Sequence, residues 1–162
     1  MLKQNPTSPQ MHPLLELLIN YQPGENDRLS WTEYFIGQAL VASFRSPSKK
    51  IQVGAVIVKN LRSISTGYNG FLPSLPHVSI NIDNHEVNTV HAEQNAIAFA
   101  AKAGISIDRS TIYVTHYPCL DCAKVIIASG IECVIYVHDY KNNPICQQLF
   151  EESNVNVIKF ET

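Results

Sequence analysis

The chain is expected to fold as a three-layer α/β/α sandwich around a mixed five-stranded sheet. Two β-branched apolar runs, Ile51 to Lys59 and Ser63 to Tyr68, are joined by only Asn60-Leu61-Arg62, the length of a hairpin connection. The last third alternates strand-like and helix-like segments, which requires right-handed crossovers and parallel pairing. A length of 162 residues with 45% hydrophobic content suffices for one core but not for two ordinary domains.

Residues 1–28 are rich in Pro, Gln and Asn, with a short apolar patch from Leu14 to Ile19 interrupted by Glu16. This predicts a loosely ordered arm with one helical turn docked on a neighbour, followed by a single domain over residues 29–162. Ser30-Trp31-Thr32-Glu33 is a capping box that starts a helix. Trp31, Phe35, Ala39 and Ala42 form its core-facing stripe, and it fades by Arg45-Ser46-Pro47. The hairpin comes next. Asn69 to Val90 has no clear periodicity, and loops of that length inside compact domains are usually functional or mobile. His91 to Ala103 reads as an Ala-rich helix closed by Gly104, and Thr111 to Thr115 as a buried strand. A helix from Leu120 to Ser129 ended by Gly130, a strand Glu132 to Val137, a helix Pro144 to Ser153 and a strand Val155 to Phe160 complete the sheet.

The formal charge of −2, the pI near 6.3 and 12 scattered Lys and Arg residues provide no basic stripe, so a polymeric nucleic-acid partner is not expected. The apolar runs are shorter than the ~20 residues of a membrane span. The N-terminus lacks a cationic segment followed by an apolar run and a cleavage site, so a reducing cytoplasmic location is expected.

His91-Ala92-Glu93 and Pro118-Cys119-Leu120-Asp121-Cys122 carry the chemistry. One imidazole and two thiolates supply three ligands to Zn²⁺ and leave a fourth position for water, the arrangement of catalytic rather than structural zinc. His91 opens one predicted helix and the Cys pair another, so two positive helix ends face the metal and favour thiolates. Two thiolates and a neutral imidazole bring the site to formal neutrality, which blunts its power to acidify water and calls for a separate base. Glu93 fits: it can take a proton from the attacking water and pass protons to N3 of a cytosine and to the leaving ammonia. His-x-Glu with Pro-Cys-x-x-Cys is the signature of zinc nucleobase deaminases.

Cys133 lies in an apolar strand and reads as core. Cys146, on a helix, has no companion at ligand spacing. His116, three residues before Cys119, is a candidate to support a ligand or line the pocket. His77 and His85 fall in the long segment, where solvated and lid-like roles both stay open. His12 and His138 carry no signal.

From about Ser30 to Phe160 the chain resembles the deoxycytidylate deaminases, and within them the bacterial late-competence operon deaminases. The resemblance rests on Ser30-Trp31 with Tyr34-Phe35, Arg45-Ser46, Gln52-Val53-Gly54-Ala55, Gly67-Tyr68-Asn69-Gly70, His91-Ala92-Glu93 with Asn95-Ala96-Ile97, Tyr113 through Cys119, Cys122-Ala123-Lys124, Ser129-Gly130-Ile131 and Val134-Ile135-Tyr136. It implies a cytidine-deaminase-like fold, conversion of dCMP to dUMP and ammonia, and zinc bound by His91, Cys119 and Cys122. It further implies that Asn69 contacts the nucleotide sugar and phosphate, Arg45 the phosphate, and Tyr117 the base. Asn69 as a plain turn residue and Arg45 as a solvated helix-end cation remain open. The family's oligomers imply a homo-oligomer, a hexamer or dimer, to which the Leu14 to Ile19 patch could contribute.

After Gly70 the chain departs from the pattern with Phe71-Leu72-Pro73-Ser74-Leu75-Pro76, so whether control by deoxynucleoside triphosphates carries over stays open. The cysteines that hold an additional zinc in some relatives are absent between Gly70 and His91, which implies one Zn²⁺ per subunit. Two other readings stand beside dCMP: a zinc deaminase of another nucleoside, base or nucleotide, and a non-catalytic competence-associated zinc protein. Intact Glu93 argues against the second, because a structural site has no use for it.

Overall fold

The computed structural model describes residues 11–161 apart from 26 and 84, so the first ten residues of the expected arm lie outside the described part. In chain order the elements are α1 (Pro13–Asn20), α2 (Trp31–Ser43), β1 (Gly54–Lys59), β2 (Arg62–Tyr68), β3 (Gly70–Phe71), β4 (Asn81–Ile82), β5 (His85–Glu86), β6 (Thr89–Val90), α3 (Ala92–Ala103), β7 (Thr111–His116), α4 (Leu120–Ala128), β8 (Cys133–His138), α5 (Pro144–Glu152) and β9 (Asn156–Lys159). The five-stranded sheet has the order β2-β1-β7-β8-β9. β1 is antiparallel to β2 and β7, while β7, β8 and β9 are parallel, which is the predicted mixed sheet.

Strand alternation sorts the core into two faces. Ala55, Ile57, Ile112, Val114, Val134 and Tyr136 pack with Ala92, Ala96 and Ala100 of α3, Ala123 and Ile126 of α4 and Phe150 of α5. On the opposite face Val56, Val58, Tyr113 and Ile135 meet Phe35, Ile36 and Ala39 of α2. Helices thus cover both faces, giving the three layers.

The capping box is present: Ser30 Oγ accepts the Glu33 N–H at 3.2 Å and the Glu33 carboxylate accepts the Ser30 N–H at 2.6 Å. Ser30→Ala should therefore lower stability by about 1 kcal/mol, read as a shift in the urea midpoint at unchanged slope; no shift would show that the cap is redundant. The core stripe needs one correction. Phe35, Ala39 and Ala42 are buried, but Trp31 is 49% exposed and Ile36 is buried in its place. Trp31 occupies the first turn, stacks on Phe35 at 5.7 Å and leaves its outer edge to solvent.

β1 begins at Gly54 rather than Ile51, because the Ile51 carbonyl and Val53 N–H bond to the Asn69 side chain instead of a ladder. The hairpin turn has two residues, Asn60 and Leu61, both at positive φ (51° and 57°), with Arg62 already paired to Lys59. The long segment contains two short ladders: β3 with β6 closes it at its base, and β4 with β5 forms its tip. Glu86 organises the tip by accepting the N–H groups of Ile80 at 3.1 Å and Asn88 at 2.9 Å. His77 stacks on Phe71 at 5.1 Å. The Leu14 to Ile19 patch forms α1, two turns rather than one, and no α1 residue is buried within the chain. Among the described residues no helix is long and apolar enough to cross a membrane.

Candidate active site

The sheet edge formed by the start of β1 and the ends of β2 and β7 carries the predicted residues. α3 and α4 both begin there, with His91 and Cys119 as their N-caps. Neither side chain caps its own helix, and the two turn toward each other. His91 Nδ1 lies 3.4 Å from the Sγ atoms of both Cys119 and Cys122, and the three ligand atoms fall within 4.8 Å of one another. Ligands about 2.0–2.3 Å from a tetrahedral Zn²⁺ stand roughly 3.5–3.8 Å apart, so this group could hold that ion with little rearrangement.

The electrostatics point the same way. Hydrogen bonding from Cys122, then from His91, pulls the Cys119 thiol down to about 4. Cys122 is pushed up, first by its bond to Cys119 and then by burial, so the pair alone carries one negative charge. The hydrogen bond to Cys119 raises His91. A second thiolate needs a cation, which is what a soft divalent metal would provide.

Glu93 sits in the first turn of α3 and is 4% exposed. Burial pushes its carboxyl above the ordinary range, opposed by its own backbone N–H and by His91. A buried carboxyl beside the metal group can hold and return a proton.

The other predicted residues lie in different places. The Asn69 amide clasps the start of β1: Oδ1 accepts the Val53 N–H at 2.8 Å and Nδ2 donates to the Ile51 carbonyl at 2.9 Å. One amide hydrogen and one lone pair remain for a ligand. Arg45 follows α2 as an exposed residue. Tyr117 turns inward. It is buried against Tyr136, with ring centroids 5.0 Å apart, and lines a cavity of about 600 Å³ beneath α5. That cavity's walls do not include His91, Glu93, Cys119 or Cys122.

Two supporting residues escaped sequence reasoning. Asn95 Nδ2 donates to the Tyr68 carbonyl at 2.8 Å and ties α3 to the end of β2. Its place four residues after His91, on the same helix face in an Ala-rich segment, was the available signal. Thr115, polar in an apolar strand, accepts the Gly54 N–H at 3.2 Å. Cys133 and Cys146 are free thiols away from the metal group, Cys146 fully buried in the core.

Residues 29–138 match the family profile described as the cytidine and deoxycytidylate deaminase zinc-binding region. The chain belongs to this zinc-binding deaminase family. It is 43% identical over 139 residues to ComE operon protein 2 of Bacillus subtilis, covering 83% of this chain and 74% of that protein. It is 33% identical over 162 residues to the deoxycytidylate deaminase of Enterobacteria phage T2, covering 74% of this chain and 86% of the relative. Among solved structures it is similar to the dCMP deaminase of cyanophage S-TIM5 in complex with dCMP and dUMP. That match has a TM-score of 0.73 and 29% identity, and covers 93% of this chain and 99% of the other. The family and the fold implied by the sequence motifs are thus the ones found. Zinc is the family's metal, and the His91, Cys119 and Cys122 donor set fits it.

Proposed function

We propose that this deaminase hydrolyses dCMP to dUMP and ammonia, with His91, Cys119 and Cys122 holding one Zn²⁺ per subunit and Glu93 moving the protons. The observation that carries the reading is a buried carboxyl, Glu93, two residues from the imidazole of a converged His-Cys-Cys group. Bound zinc supplies Lewis acidity toward water at that position. Glu93 accepts the first proton of the water that adds at C4 and delivers it to N3, then takes the remaining proton from the C4 hydroxyl and passes it to the departing amine, so that ammonia leaves as C4 becomes a carbonyl. The N-terminal ends of α3 and α4 favour the negative charge that develops between them. Asn69 holds the sugar with its remaining amide hydrogen and lone pair, and Arg45 meets the phosphate from solvent. Tyr117, buried against Tyr136 in a cavity whose walls exclude the metal group, backs the base pocket in this scheme rather than facing the base.

The unit that acts is residues 29–162, with residues 1–28 as an arm. It works on free nucleotide in the cytoplasm, and no polymeric nucleic acid is involved. The exposed apolar residues Leu15, Leu17 and Leu18 of α1 and Val41 and Phe44 at the end of α2 support a homo-oligomer, a hexamer or dimer.

The test is ammonia release by the zinc-loaded protein from equal concentrations of dCMP, CMP, deoxycytidine and cytosine. Preference for dCMP, lost after chelation and restored by zinc, is the expected result. Preference for an unphosphorylated substrate would move the assignment within the family, and release from none of them would overturn it.

A further inference from the structure

One continuous hydrogen-bond path runs along the edge of the sheet that carries the metal group. Asn69 Oδ1 accepts the Val53 N–H at 2.8 Å. The next amide, Gly54 N–H, donates to Thr115 Oγ1 at 3.2 Å, and Thr115 Oγ1 lies 2.9 Å from His116 Nδ1. Thr115 is 1% exposed, so its hydroxyl proton needs a protein acceptor. The Gly54 amide is itself a donor, which leaves His116 Nδ1 to receive that proton. With Nδ1 as that acceptor, the ring hydrogen belongs on Nε2, which makes half-buried His116 a hydrogen-bond donor at that atom.

His116 is not alone. Its partner in the parallel register is His138 on β8, and their rings lie 5.1 Å apart. Tyr140 meets His116 edge-on at 6.2 Å, and Lys141 Nζ stands 5.5 Å from the Tyr140 ring. The carboxylate among them, Asp139, is engaged by Lys159, by Asn142 Nδ2 at 2.7 Å and by the Tyr136 hydroxyl at 3.3 Å. The rim presented here is a set of donors: His116 Nε2–H, an imidazole at His138, the Tyr140 hydroxyl and the Lys141 ammonium.

Ligands in α/β sheets bind outside the carboxyl ends of the parallel strands, where this rim stands. Cys119 follows His116 by three residues, and the Tyr117 N–H bonds to the His138 carbonyl at 2.9 Å, fixing the two strand ends together. Asn69, at the end of β2, lies two strands across from His116, roughly 10 Å by strand spacing. Of the parts of a nucleotide, the phosphate is the one that offers only acceptors.

Resting on the mononucleotide reading above, we infer that His116, aimed by Thr115 and flanked by His138, donates a hydrogen bond to the 5′-phosphate of the substrate and sets the preference for nucleotide over nucleoside. A phosphate dianion has more acceptor positions than one guanidinium fills, so this donor adds to Arg45.

The experiment compares inhibition constants of dUMP and deoxyuridine for the zinc-loaded wild type, His116→Leu and His116→Gln. His116→Leu removes the donor at similar bulk and should weaken dUMP about 10- to 100-fold, the scale of a hydrogen bond to a charged group. Deoxyuridine should change less than about threefold, and His116→Gln, whose amide restores an N–H, should recover most of the lost dUMP affinity. Equal weakening of both inhibitors by His116→Leu would make the residue structural and overturn the inference, as would unchanged dUMP binding. A wild type that neither turns over dCMP nor binds dUMP would instead overturn the mononucleotide reading itself.

Discussion

Replacing Glu93 with Gln should lower kcat by about 10²–10⁴-fold while zinc content stays near one per subunit. The amide is nearly isosteric with the carboxyl it replaces, so the first turn of α3 and the position of His91 are preserved. What is lost is the ability to take a proton at one moment and release it at the next. The surroundings offer no substitute. Glu93 is 4% exposed, so bulk water reaches it poorly, and the titratable groups acting on it include His91, Cys119 and Cys122, which the proposed function assigns to the metal. Because the proton is in transit in the transition state, kcat and kcat/KM should fall together with KM little changed. Steady-state ammonia release beside metal analysis by atomic absorption checks this. Near-normal turnover in the Gln variant would remove Glu93 from the mechanism, and loss of zinc would recast it as part of the metal's support.

Cys122→Ser beside it separates ligand from proton carrier. It should lose the metal and turnover together, since a hydroxyl is a poor substitute for a thiolate on zinc.

How much of this could be read in the residues depends on whether a function had a local signature. The helix starts were legible at Ser30 with Glu33, which form a capping box, and at His91 and Cys119, motif residues that occupy N-cap positions without capping through their side chains. The helix ends were legible at Gly104 and Gly130, which take φ of 68° and 78°. The parallel half of the sheet followed from strand and helix alternation. Residue roles that depend on a turn of the chain were not legible. Tyr117 follows β7 by one position and would alternate to the α2 face if the strand continued, yet it packs with Tyr136 on the other face. The ladders between Asn69 and Val90 are two residues each, too short to show a period. Asn69 was read as a ligand-facing amide, but half of its side-chain bonding capacity holds Ile51 and Val53 in place. No sequence pattern reports which backbone an amide clasps.

Gly67→Ala is expected both to destabilise the fold and to weaken zinc binding, and its cause is the seating of α3 on β2. A Cβ at Gly67 would stand 2.2 Å from the Ala92 carbonyl oxygen, 2.5 Å from the Ala96 nitrogen and 3.0 Å from the Ala96 Cβ. The first two are backbone atoms of the first turns of α3 and the third is a methyl fixed to that backbone, so none can rotate aside as a longer side chain can. Relief requires α3 to lift from the sheet, and His91 and Glu93 travel with it. Overpacking of this kind costs about 3 kcal/mol, which for a chain of this size lowers the melting temperature by roughly 6–12 °C. Gly54→Ala makes an equally severe contact, with the Ala39 carbonyl oxygen at 2.0 Å and the Ser43 nitrogen at 2.6 Å, but in α2 rather than α3. Both variants should therefore melt early, and at a temperature where each is still folded Gly67→Ala should bind zinc more weakly than Gly54→Ala. Thermal melts with a competitive zinc-chelator titration read both quantities. Equal zinc affinity in the two folded variants would show that the metal group is held by α4 and the sheet without help from the seating of α3.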